Sequence, residues 1–169
     1  MAEVSVAEET VIPSPALVIL VGPSGAGKST WAEAYFRPGQ VLATDDFRAL
    51  VGSGPNDQTA GTEAFALLDQ LVETRLAKGL TTVIDTIGLD LERRAEYRDA
   101  ARSAGMAAVA VGFDTKPALC HERNRQRRHP VPKTVLDKQL RQWRKSKATL
   151  GDEGFDLVVI DPVSPRLVP

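Results

Sequence analysis

The chain has 169 residues, 43% hydrophobic and 25% charged, with a net charge of −1. That length fits one domain with a proper core, and the composition excludes a disordered or fibrous chain. A lone cysteine, Cys120, excludes an intrachain disulfide, and no apolar run approaches the roughly eighteen residues of a membrane span, so the expected location is cytoplasmic.

Residues 1–15 are acidic and then punctuated by proline, and read as a flexible lead-in to a single domain over 16–169. The apolar run Ala16 to Val21 is the first expected strand, and 28–36 the first helix, closed by Pro38-Gly39. A second strand, Gln40 to Thr44, ends in Asp45-Asp46-Phe47-Arg48, and the cluster from Gly52 to Asn56 is a loop. Phe65, Leu68, Leu71, Val72 and Leu76 share a helical face between Thr62 and Lys78, with Gly79 as its stop. A third strand runs from Leu80 to Asp85. Asp90 caps a helix from Leu91 to Ala104, and Met106 to Phe113 is a fourth strand. A helix from Pro117 enters an arginine run and breaks at His129-Pro130-Val131-Pro132. Another follows from Lys133 to Lys147, and Phe155 to Ile160 is the last strand. Cys120 reads as a small buried residue on the helix that starts at Pro117.

Strands alternating with helices imply a parallel five-stranded α/β sheet with helices on both faces. Ligands in such sheets sit beyond the carboxyl ends of the strands, so the segments after strands one, two and three converge on one cleft.

The segment Gly22-Pro23-Ser24-Gly25-Ala26-Gly27-Lys28-Ser29-Thr30 fits the phosphate-binding pattern G-x-x-x-x-G-K-[ST], between a strand and a helix as that pattern requires. Glycines at 22, 25 and 27 let backbone N–H groups approach phosphate oxygens, and the helix start directs its positive end at the same anion. Lys28 reaches the outer phosphates, and Ser29 is placed to ligate Mg²⁺. A nucleoside triphosphate, ATP or another, is the expected ligand, held by residues 22 and 24–30.

Asp85 closes an apolar strand, where a carboxylate helps hold Mg²⁺ directly or through water. Asp45 and Arg48 offer a base for a hydroxyl and a guanidinium for an acceptor phosphate, although Asp45 or Asp46 equally serves as a helix cap. Between Arg123 and Lys147 ten Lys or Arg residues meet one acid, Asp137, a balance of +9 that leaves −10 for the rest of the chain. Such a stripe points to a phosphate-rich partner, nucleotide or nucleic acid, and marks 123–147 as a basic lid.

The succession GPSGAGKST, VLATDDFR, NDQT, VIDT and CHERN resembles the 5′-OH polynucleotide kinase module of bacterial polynucleotide kinase-phosphatases, and more loosely the phage polynucleotide kinase. The resemblance runs from about Leu17 to Ile160 and implies a P-loop kinase architecture with a helical lid. It implies Asp45 as general base toward the acceptor 5′-OH, Arg48 on the acceptor's 3′-phosphate and Gln58 near the acceptor. It implies Arg123 as an essential lid arginine on the donor phosphates, with Arg127 or Arg128 as a second. In that resemblance Lys28, Asp45 and Arg123 are catalytic, and the reaction moves the γ-phosphate to the 5′-OH end of RNA or DNA. After Asp85 the chain departs from the module's Ala-Thr-Asn and reads Thr86-Ile87-Gly88, which leaves room for a kinase of a small alcohol. An ATP-binding switch without catalysis is the alternative from another class.

Overall fold

In the computed structural model, which describes residues 10–162 and 165–168, the apolar run Ala16–Val21 is the central strand of the main sheet. In chain order the elements are β1 (Thr10–Pro13), β2 (Ala16–Val21), α1 (Lys28–Tyr35), β3 (Val41–Ala43), α2 (Thr44–Val51) and α3 (Gly61–Ala77). They continue with β4 (Thr82–Asp85), α4 (Leu91–Ser103), β5 (Ala107–Gly112), α5 (Pro117–Arg125), α6 (Lys133–Thr149), β6 (Leu157–Ile160) and β7 (Pro165–Val168). The five-stranded sheet has the order β3-β4-β2-β5-β6, with every neighbouring pair parallel.

All six residues of β2 are buried, because helices cover both faces of the sheet. Side chains alternate across a strand with period two, so β2 feeds two cores. Leu17, Ile19 and Val21 pack with Leu68, Val72 and Leu76 of α3 and with Tyr97 and Ala101 of α4. Val18 and Leu20 pack on the opposite side with Trp31 and Ala32 of α1, Cys120 of α5, and Leu136 and Leu140 of α6. The expected fold class holds, and element ends move by one to three residues, α5 ending at Arg125 before the expected break at His129. Gly79 and Gly105, both at positive φ, follow α3 and α4 at the left-handed position that a helix stop needs. Asp90 caps α4 by accepting the N–H groups of Glu92 and Arg93.

Two differences from the sequence expectation concern the chain's ends and α2. The lead-in is not wholly irregular: Thr10–Pro13 forms a strand that pairs in parallel with Pro165–Val168, and Ile12 is fully buried in the core around α1. The first nine residues of that lead-in lie outside the described residues. Helix α2 begins at Thr44, directly after β3, so Asp45 and Asp46 lie in its first turn and neither caps it; Ala43 holds the cap position without a side-chain bond. Among the described residues, no helix is long and apolar enough to cross a membrane.

Candidate active site

The loop between β2 and α1 is held from three directions. Gly22 donates its N–H to the Ile87 carbonyl at 3.0 Å, behind the loop. Ser24 donates its N–H to Gln139 Oε1 of α6 at 2.9 Å, and Thr115 Oγ1 donates to the Ala26 carbonyl at 2.7 Å. Gly25 has φ 79°, and a Cβ there would stand 2.8 Å from the Cys120 carbonyl, so this position requires glycine. Gly27 at φ 101° turns the chain into α1.

Lys28 is buried and donates to the carbonyls of Gly22 and Pro23 at 2.8 and 2.9 Å. Burial pushes its ammonium down to about 8, with the Asp85 charge acting in the opposite direction. Burial likewise raises the Asp85 carboxyl, against the Ser29 hydrogen bond and the Lys28 charge. The Ser29 hydroxyl and the Asp85 carboxylate therefore form an oxygen pair beside a buried cation, a donor set suited to a hard divalent ion. Among the described residues no group of three or more His, Cys, Asp or Glu side chains gathers as a metal site. A cation here would take its remaining oxygens from phosphate and water.

Two cavities meet at Lys28, Ser29 and Arg127. The smaller, about 640 Å³, lies over residues 25–30 and is bounded by Trp31, Tyr35, Phe113, Thr115 and Arg123. The larger, about 1550 Å³, receives Asp45, Asp46, Arg48, Gln58 and Asp85 from the other side. Arg123 Nη1 donates to the Gly25 carbonyl at 3.1 Å, which sets its guanidinium over the loop. Arg128 borders neither cavity, so of the two candidates for a second arginine only Arg127 is at the site. Arg48 Nη1 donates to Asp45 Oδ1 at 2.8 Å within one turn of α2. Among the described residues Arg48 Nε is the one buried side-chain nitrogen or oxygen without a hydrogen-bond partner. Gln58 follows Asp57, whose carboxyl is held well below its ordinary range by N–H and hydroxyl donors of Ser53 and Thr59.

The basic stretch 123–147 divides into two parts. The last turn of α5 and the segment 126–132 border the cavities, and Asn124 holds that segment through paired bonds with the Val131 backbone. Helix α6 is anchored on the sheet by Leu136, Leu140 and Trp143. Its outer face carries Lys138, Arg141, Arg144 and Lys145, all exposed and without an ion pair among the described residues.

Sequence reasoning missed four contributors. Gln139 sits on the apolar face of α6 between Leu136 and Leu140, and that misplaced polar letter was the available signal. Arg94 is 2% exposed and forks onto Glu153 at 2.7 and 2.5 Å while bonding the Gly88 carbonyl, which fixes the segment after Asp85. Arg93 and Tyr97, bound to Asp69, border the larger cavity.

A family model described as an AAA domain, AAA_33, matches residues 17–148, which is most of the chain. The chain belongs to this AAA domain family. Its fold recurs in solved structures. A chain of the Pnkp1/Rnl/Hen1 RNA repair complex superposes with a TM-score of 0.67 at 20% identity over 88% of this chain, which spans only 49% of that one. A chain of the PezAT toxin-antitoxin system of Streptococcus pneumoniae gives 0.64 at 16% identity, over 91% of this chain and 69% of that one. A gluconokinase from Sinorhizobium meliloti 1021 gives 0.54 at 21% identity, over 90% and 85%. No curated protein matches the chain in sequence. This AAA domain therefore has the α/β fold of P-loop kinases.

Proposed function

We propose that this AAA domain is an ATP-dependent polynucleotide 5′-hydroxyl kinase. The observation that carries the acceptor is Arg48, whose buried Nε lacks a partner one helical turn from the Asp45 carboxylate. A guanidinium held so is an anion site, and its neighbour is a base: the acceptor presents a hydroxyl to Asp45 and a phosphate to Arg48. A plain sugar or alcohol can accept a hydrogen bond but brings no negative charge to pair with the Arg48 guanidinium. The likenesses to solved structures are of fold, so the acceptor rests on residues of this chain.

In this assignment the smaller cavity takes the nucleoside triphosphate, with the loop's N–H groups and Lys28 on its phosphates. Ser29, and Asp85 directly or through water, would hold Mg²⁺, which would supply charge neutralisation on the phosphates. Asp45 Oδ1 accepts from Arg48, which leaves Oδ2 to take the acceptor's hydroxyl proton. The acceptor oxygen then bonds to the γ-phosphorus, the bond from that phosphorus to the β–γ bridging oxygen breaks, and ADP leaves. Arg123 and Arg127 close on the transferring group, where charge spreads over its oxygens. Gln58 contacts the acceptor.

The unpaired cations on the outer face of α6 favour a polymeric phosphate acceptor over a small alcohol. The test is γ-phosphate transfer with Mg²⁺ to a 5′-OH oligonucleotide, a nucleoside 3′-monophosphate and a plain nucleoside. The first two should be phosphorylated and the third poorly. Asp45→Asn should lose transfer to both by about 10²-fold or more, and Arg48→Gln should lose the preference for the 3′-phosphate. Transfer only to a small alcohol overturns the polynucleotide assignment, and ATP binding without transfer to any acceptor favours a switch module.

A further inference from the structure

The larger cavity carries a second guanidinium that the transfer step does not use. Arg93 and Arg94 are consecutive on α4, and their surroundings differ. Every edge of Arg94 is occupied: Nε and Nη2 bind Glu153, and Nη1 binds the Gly88 carbonyl. That arginine is structural. Arg93 spends only Nη1, which donates to Asp69 Oδ1 and Oδ2 at 3.0 and 3.1 Å and lies 3.3 Å from Tyr97 Oη.

Three contacts make Arg93 rigid. Its guanidinium carbon stands 4.3 Å over the Phe65 ring and 5.9 Å from the Tyr97 ring. Tyr97 in turn donates its hydroxyl to Asp69 Oδ1 at 2.6 Å, which holds the carboxylate in place. Nε and Nη2 form the side edge that forks onto a carboxylate or phosphate, and neither has a partner among the described residues. Arg93 is about one-third exposed, at 32%, and borders the cavity that holds Asp45, Arg48 and Gln58. Neither Glu92 nor Glu96, the nearest acids by sequence, pairs with it among the described residues, and Asp90 is engaged in capping α4. A cavity of about 1550 Å³ also exceeds the roughly 300–1,000 Å³ of a site for one small ligand.

We propose that Arg93 binds a second phosphate of the acceptor strand, one nucleotide beyond the phosphate held by Arg48. This rests on the polynucleotide kinase assignment above and sets the length of acceptor that the enzyme recognises. Asp69 and Tyr97 act through Arg93, as positioning residues.

The test compares kcat/KM for two acceptors. One is a nucleoside 3′-monophosphate, with one phosphate. The other is a dinucleotide with a free 5′-OH, an internal phosphodiester and a terminal 3′-phosphate. Wild type should prefer the dinucleotide by about tenfold, and Arg93→Gln should bring that ratio to about one. The slope of log kcat/KM against log salt on the dinucleotide should also fall by about one ion. Should Arg93→Gln fold poorly, Arg93→Lys keeps the stem and charge over Phe65 but loses the fork, and its ratio should fall at least threefold. Wild type using both acceptors equally, or either folded variant keeping the wild-type ratio, overturns the second phosphate contact alone. Wild type using neither acceptor overturns the polynucleotide assignment beneath it.

Discussion

Arg123 and Gly25, 98 positions apart in the chain, meet through a 3.1 Å hydrogen bond from the guanidinium to the loop carbonyl. The bond places a cation against the phosphate loop before any ligand enters, beside Gly27, where a Cβ would stand in ordinary contact with Arg123 Nη1. A cation so placed contributes most where charge develops in the transition state. Arg123→Ala should lower kcat by about 10²–10³-fold while changing ATP affinity by less than about tenfold. Arg123→Lys should rescue little, because an ammonium lacks the planar fork. A loss confined to ATP affinity, seen by calorimetry beside single-turnover rates, would remove the transition-state role.

Lys28 illustrates a conflict between stability and function. Burial disfavours its charge, and the two loop carbonyls and the Asp85 charge, with lesser help from Cys120 and Asp45, offset only part of that cost. Lys28→Met keeps the volume and removes the buried charge. Transfer should be lost, while the ligand-free protein should gain about 1 kcal/mol and melt about 2–4 °C higher. The gain is small because the Gly22 and Pro23 carbonyls lose their donor. A lower melting temperature, measured without nucleotide or Mg²⁺, would show that Lys28 supports the loop instead of straining it.

The succession of strands and helices and the phosphate loop were legible because their signals are local. Strand β2 is a continuous apolar run, and the loop needs its glycines at fixed spacing. The pairing of Thr10–Pro13 with Pro165–Val168 was not legible, because two short segments at opposite chain ends carry no periodicity to register one against the other. The site was legible where one residue type can do one job, as at Lys28 and Ser29. It was not where identical letters diverge: Arg93 and Arg94 are neighbours, and only the helix phase against the sheet sends one to Glu153 and leaves the other at a cavity. The cap reading of Asp45 falls only once α2 is seen to start at Thr44.

Asp114 fastens α6 to the end of β5. Burial raises its carboxyl, but bonds from Lys147 and from Trp143 Nε1 outweigh that and hold it below its ordinary value of 3.8. The folded state therefore keeps this carboxylate ionised at pH values where the unfolded chain has protonated it. The stabilisation is complete above 3.8 and is lost as pH falls through the lower folded value. The difference in urea midpoint between wild type and Asp114→Asn should be largest near neutrality and shrink toward zero in acid. A difference that stays constant with pH would assign the effect to packing. Trp143 fluorescence, read in a Trp31→Phe background, should shift over the same acid range as its acceptor is protonated.

Gly88 joins the acid-bearing strand to the phosphate loop. Its φ is +65°, and a Cβ there would stand 2.2 Å from the Leu20 carbonyl, a backbone atom of the central strand that cannot step aside. Its own carbonyl is gripped by Arg94, and the preceding carbonyl, Ile87, accepts the N–H of Gly22. Gly88→Ala must therefore move one of two buried backbones, and should destabilise the fold by about 2–4 kcal/mol. The displacement should be felt at Gly22 before the rest of the loop, so nucleotide affinity should fall in the fraction that remains folded. Glu153→Gln loosens Arg94 without adding atoms, and should reproduce the loss of affinity in milder form if the segment after Asp85 positions the loop. Calorimetric titration of nucleotide into both variants, at a temperature where each is folded, separates the two possibilities. Reduced affinity in both makes the Arg94 grip part of the nucleotide site, whereas reduced affinity in Gly88→Ala alone makes it a matter of space behind the loop.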